Sequence, residues 1–120
     1  MSVNRKIEAA LSELVAGNIW PLVCPLEKKP DTFAVYIVER STPADYGDDA
    51  HGEWIQHLEL TWFSRQAVGG KKKPVNYLEA EEKMIAALET AGFTVKNSIP
   101  GYESETGYTT CTITFSIRKE

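Results

Sequence analysis

Residues 53–63 read EWIQHLELTWF. In an extended chain Trp54, Gln56, Leu58, Leu60 and Trp62 share one side, and Ile55, His57, Glu59, Thr61 and Phe63 share the other. One side is the more apolar, as expected of a strand that packs against helices on a single face. Upstream, TFAVYIVER at 32–40 is rich in β-branched and aromatic residues and reads as a partner strand. Downstream, YTTCTITFSIRK at 108–119 alternates, with Cys111, Ile113, Phe115 and Ile117 inward. FTVKNSI at 93–99 is a short strand joined to it by the turn PGYESETG.

Two helical patterns flank these strands. In NRKIEAALSELVAG, Ile7, Ala10, Leu11, Leu14 and Val15 recur at three- and four-residue steps, with Asn4 or Ser2 available as N-cap and Gly17 as terminator. In YLEAEEKMIAALETAGF the buried stripe is read as Leu78, Met84, Ile85 and Leu88, interrupted by Glu81 and Glu82. Asn76 caps this helix with Glu79 three positions on, and Gly92 ends it. Between the first helix and the first strand, NIWPLVCPLEKKP holds three prolines and reads as an extended apolar connector that cannot be a central strand. The order is αββαββ: a single α+β domain over 1–120, with a mainly antiparallel sheet and two helices on one face. The expected core is Leu11, Leu14, Val35, Ile37, Leu58, Leu60, Ile85, Leu88, Ile113 and Phe115.

The totals narrow the function. The chain has 120 residues, 42% hydrophobic and 25% charged, which suffices for one packed core. Its net charge of −4 disfavours wrapping duplex DNA. No apolar run approaches the roughly 18 residues of a membrane span, and VNRKIEAALSEL lacks the layout of a signal peptide. Cys24 and Cys111 show no metal or redox spacing and read as buried free thiols, in keeping with a reducing cytoplasm.

Two polar connectors carry the candidate interaction residues. STPADYGDDAHGEW at 41–54 brings Asp45, Tyr46, Asp48 and Asp49, and SRQAVGGKKKPVN at 64–76 brings Val68, Lys71, Lys72 and Lys73. Asp45, Asp48 and Asp49 with His51 or His57 are suitable ligand types for a hard divalent cation, so a small metal-dependent hydrolase built on 45–51 is an alternative. The spacing matches no calcium loop, and His57 reads as a cross-strand or surface side chain. VGGKKKP fails the phosphate-loop order, and no GxSxG elbow is present. No catalytic constellation, metal or cofactor is expected. The loops 41–53 and 64–75 are expected to be mobile in the free protein, since Tyr46 and Val68 are their few apolar anchors.

In order along the chain, LVAGNIWPLVCP after an amphipathic helix, FAVYIVER, DYGDD, WIQHLELTWFS, EAEEKMIAALETAGF and ETGYTTCTITFSI resemble the small tail completion (tail-to-head joining) proteins of long-tailed phages and prophages. The resemblance spans most of the chain and lies in the order of these segments. The RQAVGGKKKP connector is longer than in that family. The resemblance implies a non-enzymatic virion protein, made in the host cytoplasm. It would self-associate into a ring at the head-proximal end of the tail and meet tail-tube and head-neck proteins. DNA would pass its channel without specific binding, with acidic loops repelling phosphate.

Overall fold

The computed structural model describes residues 2–43, 54–68, 71–73 and 77–119. Helix α1 spans Val3–Leu11 and runs on into a 3-10 turn at Ser12–Val15. The strands are β1 (Ile19–Pro21), β2 (Thr32–Pro43), β3 (Trp54–Ser64), β4 (Gln66–Val68) and β5 (Lys71–Lys73). Helix α2 (Tyr77–Thr90) precedes β6 (Thr94–Glu103) and β7 (Tyr108–Lys119). The main sheet has the order β1-β2-β3-β7-β6, and every pairing is antiparallel except β1 with β2. The expected α+β class therefore holds, with strands the sequence had not separated out.

Strand β3 lies at the centre. Its eleven residues pair without interruption with β7, and with β2 past a bulge at Val38–Arg40. Leu58, Leu60 and Trp62 point to the helix side, as the alternation required, and meet Ile113 and Phe115 of β7. Ile7, Leu11 and Val15 of the first helical segment and Met84 and Leu88 of α2 close over them, all nearly solvent-free. Side chains of this size each stabilise by about 1.5–3 kcal/mol on full burial. Phe93 meets Phe115 edge to face at 5.2 Å. It follows Gly92, whose φ of 100° lets the α2 terminus curl back so that the Phe93 amide bonds the Leu88 carbonyl. Ser2 caps α1, its hydroxyl accepting from the Arg5 amide at 3.3 Å.

Strand β2 faces opposite to expectation. Ala34 and Tyr36 enter the helix-side core, whereas Val35 lies on the other face and Ile37 is half-buried. The phenol explains part of this: Tyr36 Oη donates to Glu8 Oε2 of α1 at 2.5 Å, pinning the helix to the sheet. Burial and the neighbouring carboxylate push the Tyr36 pKa well above the usual phenol range. Leu78 is likewise corrected. It is 57% exposed, and the buried side of α2 runs through Tyr77, Ala80, Met84 and Leu88 instead. Leu14 and Ile85 are half-buried against the core.

The proline-rich connector also holds more structure than expected. Ile19–Pro21 forms a short edge strand parallel to β2, fixed by the Ala34 amide on the Asn18 carbonyl and the Leu22 amide on the Tyr36 carbonyl. An edge is the place where Pro21 is tolerated in a sheet. Because β1 and β2 run parallel, residues 22–31 must return to the start of β2, and they cross the sheet face that the helices leave bare.

Candidate interaction surface

This returning segment, a strap, builds a second small core. Cys24, Phe33 and Tyr108 are buried there, with Trp20, Val35 and Phe63 against them. Phe33 and Phe63 stack with centroids 4.6 Å apart, and Tyr108 meets each edge to face at 5.5 and 5.8 Å. Tyr108 Oη donates to the Pro30 carbonyl at 2.7 Å, which ties down the far end of the strap. The Arg65 guanidinium lies 4.4 Å from the Tyr108 ring centroid. It also bonds Asp31 Oδ1 and the Thr106 carbonyl, each at 3.0 Å. Burial, more than the opposing Arg65 charge, raises the Tyr108 pKa.

The near end of the strap is strained. The Val23 amide bonds the Pro21 carbonyl at 2.8 Å across Leu22, whose φ is 70°. A left-handed conformation at a bulky residue costs on the order of 1–3 kcal/mol. The Leu22 side chain offers no packing in return, since it is 73% exposed. Val23 and Leu26 are exposed beside it. Between this corner and the β6–β7 turn lies a groove of about 380 Å³, floored by Phe33, Phe63 and Tyr108 and rimmed by Lys29 and Glu103. An exposed apolar corner beside an aromatic groove is suited to protein contact.

Toward the other end of β3 the same face turns polar. His57 is buried, its Nε2 3.0 Å from Thr42 Oγ1 on β2, so it is a cross-strand side chain. Burial, helped by Arg40 and Lys96, lowers its pKa. Glu59 is held above the ordinary carboxylate range by a hydrogen bond with Glu39, then by burial and by the charge of Glu39. Among the described residues no three His, Cys, Asp or Glu side chains are placed to hold a metal ion. Cys111 is buried under α2, 3.1 Å from Ser98 Oγ, and its thiol donates to Glu81 Oε2 at 3.6 Å. Burial raises its pKa, so the thiolate is disfavoured.

Of the residues singled out in the sequence, Asp45, Tyr46, Asp48 and Asp49 lie outside the described residues. Val68, Lys71, Lys72 and Lys73 do not form the plain connector expected of 64–75: β4 and β5 pair as a two-stranded ribbon with Val68 opposite Lys71 and Ala67 opposite Lys72. Residues 41–43, counted with the acidic loop, belong to β2. The two polar segments leave β3 at opposite ends, one before Trp54 and one after Ser64, roughly 33 Å apart at strand rise. They root too far apart to read as one patch. The strap was missed as a surface, although three apolar residues set among prolines were a usable signal.

No protein-family model matches the chain, and no curated protein matches it. Among solved structures, it is similar to a chain in the virion of a native gene transfer agent particle. The TM-score is 0.62 at 13% identity, over 98% of this chain and 90% of the other. The two share a fold.

Proposed function

We propose that this chain is a non-enzymatic structural protein of a phage-derived virion, which completes the tail and joins it to the head as a ring. The observation that carries the reading is the correspondence of fold, over nearly the full length of both chains, with a component of a virion. The order of sequence segments resembling tail completion proteins points the same way. So does a sheet face that ends in an exposed apolar corner, since a protein built to be covered by partners keeps such a corner. In this reading its partners are tail-tube and head-neck proteins and further copies of itself. The acidic residues Asp45, Asp48 and Asp49 keep passing DNA from adhering.

The test is genetic and structural. Deleting the coding sequence from the phage or prophage that carries it should leave filled heads and tails that fail to join. Adding the purified protein to that lysate should restore joined particles in negative stain, with a collar of density at the tail end. Normally joined, infectious particles from the deletion would overturn the proposal.

A further inference from the structure

The strap is fastened at its two ends and held between them by one side chain. At the near end the Leu22 amide bonds the Tyr36 carbonyl at 2.9 Å, next to the three-residue turn that Val23 closes on Pro21. At the far end the Pro30 carbonyl accepts from Tyr108, and Asp31 is gripped twice by Arg65, amide to carbonyl at 2.8 Å and guanidinium to carboxylate at 3.0 Å. Of residues 22–29, seven are exposed and only Cys24 is buried. No described residue is hydrogen-bonded to residues 24–29. Leu22, Val23 and Cys24 also line the groove of about 380 Å³, so open space adjoins them where packed atoms would hold them down. The two fastenings differ in kind. The far end is a set of direct bonds, whereas the near end depends on Leu22 staying at a φ of 70°, which it can leave only if the turn opens. Pro25 and Pro30 fix φ and restrict Cys24 and Lys29 before them, so the segment between is stiff.

We propose that residues 22–29 form a flap that lifts from the sheet as a unit while the domain stays folded, hinged at Pro30–Asp31 and released when Leu22 leaves its left-handed conformation. Relief of strain at Leu22 favours opening. Withdrawal of Cys24 and exposure of Phe33, Phe63 and Tyr108 to water oppose it. The closed form dominates, and the open form is a minor state reached without global unfolding. The main core makes this separation possible. Its buried residues lie on the other face of the sheet and share none with the cluster under the strap, so the flap can lift without disturbing either helix. The device keeps an aromatic face covered and leaves it able to be uncovered. It goes beyond the virion reading and does not depend on it.

The two native thiols report the two kinds of opening. Both are free and buried, Cys24 under the strap and Cys111 in the main core. The full chain is treated with N-ethylmaleimide in native buffer and in urea below the unfolding transition, and the labelled residue is assigned by peptide mass. Cys24 should react at least about tenfold faster than Cys111, and its rate should rise only shallowly with urea, because lifting the flap exposes little surface. Leu22→Gly, which removes the strain of the closed turn, should slow Cys24 at least about threefold. Leu22→Ile, β-branched and worse suited to positive φ, should quicken it. Ile113→Val weakens the main core, and should quicken Cys111 about fivefold while leaving Cys24 within about twofold of wild type. Labelling of Cys24 that follows Cys111 in urea and in the Ile113→Val variant would overturn the flap, since the strap would then open only with the whole domain. A Cys24 rate indifferent to both Leu22 variants would overturn it too, since the thiol would then be reached through the standing groove.

Discussion

Leu60→Ala probes the centre of the domain. Leu60 is fully buried on β3, flanked by Tyr36 on β2 and Ile113 on β7. Truncation removes three carbon groups from an apolar site, a transfer loss of about 2.4 kcal/mol at ~0.8 kcal/mol per methylene. The cavity adds to this to the extent that its walls cannot close in. Here β3 is hydrogen-bonded on both sides and two helices roof the site, so little collapse is available, and the total should approach 4 kcal/mol, inside the range of about 2–5 known for such truncations. Ile37→Ala is the control: Ile37 is only half-buried on the rim, and about 1 kcal/mol is expected. Urea unfolding followed by circular dichroism, with unchanged m-values, measures both. A cost below about 1.5 kcal/mol for Leu60→Ala, or equal costs for the pair, would mean that the helix-side face of the sheet has been misassigned.

Further outcomes are expected. Tyr36→Phe should cost about 1–2 kcal/mol near neutral pH by leaving Glu8 unpaired. Because the folded state holds the Tyr36 proton more tightly than the unfolded chain, stability should fall as pH rises above about 10, and Tyr36→Phe should flatten that alkaline slope in thermal melts. His57 has a lowered pKa, so the unfolded chain takes up its proton first and stability should decline as pH falls below about 6.5. His57→Gln should remove this part of the slope, and an unchanged profile would reject it. Gly101→Ala would place a Cβ 2.7 Å from Thr110 Oγ1 and should destabilise by about 1–2 kcal/mol, with recovery on adding Thr110→Ala; a neutral single variant would show that Thr110 simply rotates away. Replacing Asp48 and Asp49 together by Asn should leave the melting temperature within about 2 °C of wild type, whereas a chelator-sensitive melt of the wild-type protein would revive a metal site at 45–51.

Strands with one apolar face were legible from sequence. In β7, Cys111, Ile113, Phe115 and Ile117 are all buried, as the alternation dictated, and in β3 Leu58, Leu60 and Trp62 follow the same rule. In TFAVYIVER both alternating sets are apolar, so periodicity could not choose between them. The choice came from long-range partners, Glu8 for Tyr36 and the strap for Phe33, which no local pattern contains. Leu78 was misplaced because hydrophobicity alone nominated it, while the smaller Ala80 and the amphipathic Tyr77 fit the helix's packed side. The ribbon at 66–73 did carry a signal, two glycines between short segments, but its polar flanks argued for a plain connector. Of the interaction surface the sequence showed the exposed apolar residues but not the crossing that gathers them, which follows from the parallel pairing of β1 with β2.

The position of β7 has a consequence for how the protein is made. It is the last of the described strands in sequence order yet sits between β3 and β6, with a neighbour on each side. A chain interrupted anywhere before Tyr108 therefore leaves β3 with a bare margin and β6 with nothing to pair against. Such a fragment cannot complete the hydrophobic layer beneath α2, and its open strands invite degradation or aggregation. Products truncated before β7 are thereby kept from the folded state, because that strand closes the sheet between β3 and β6.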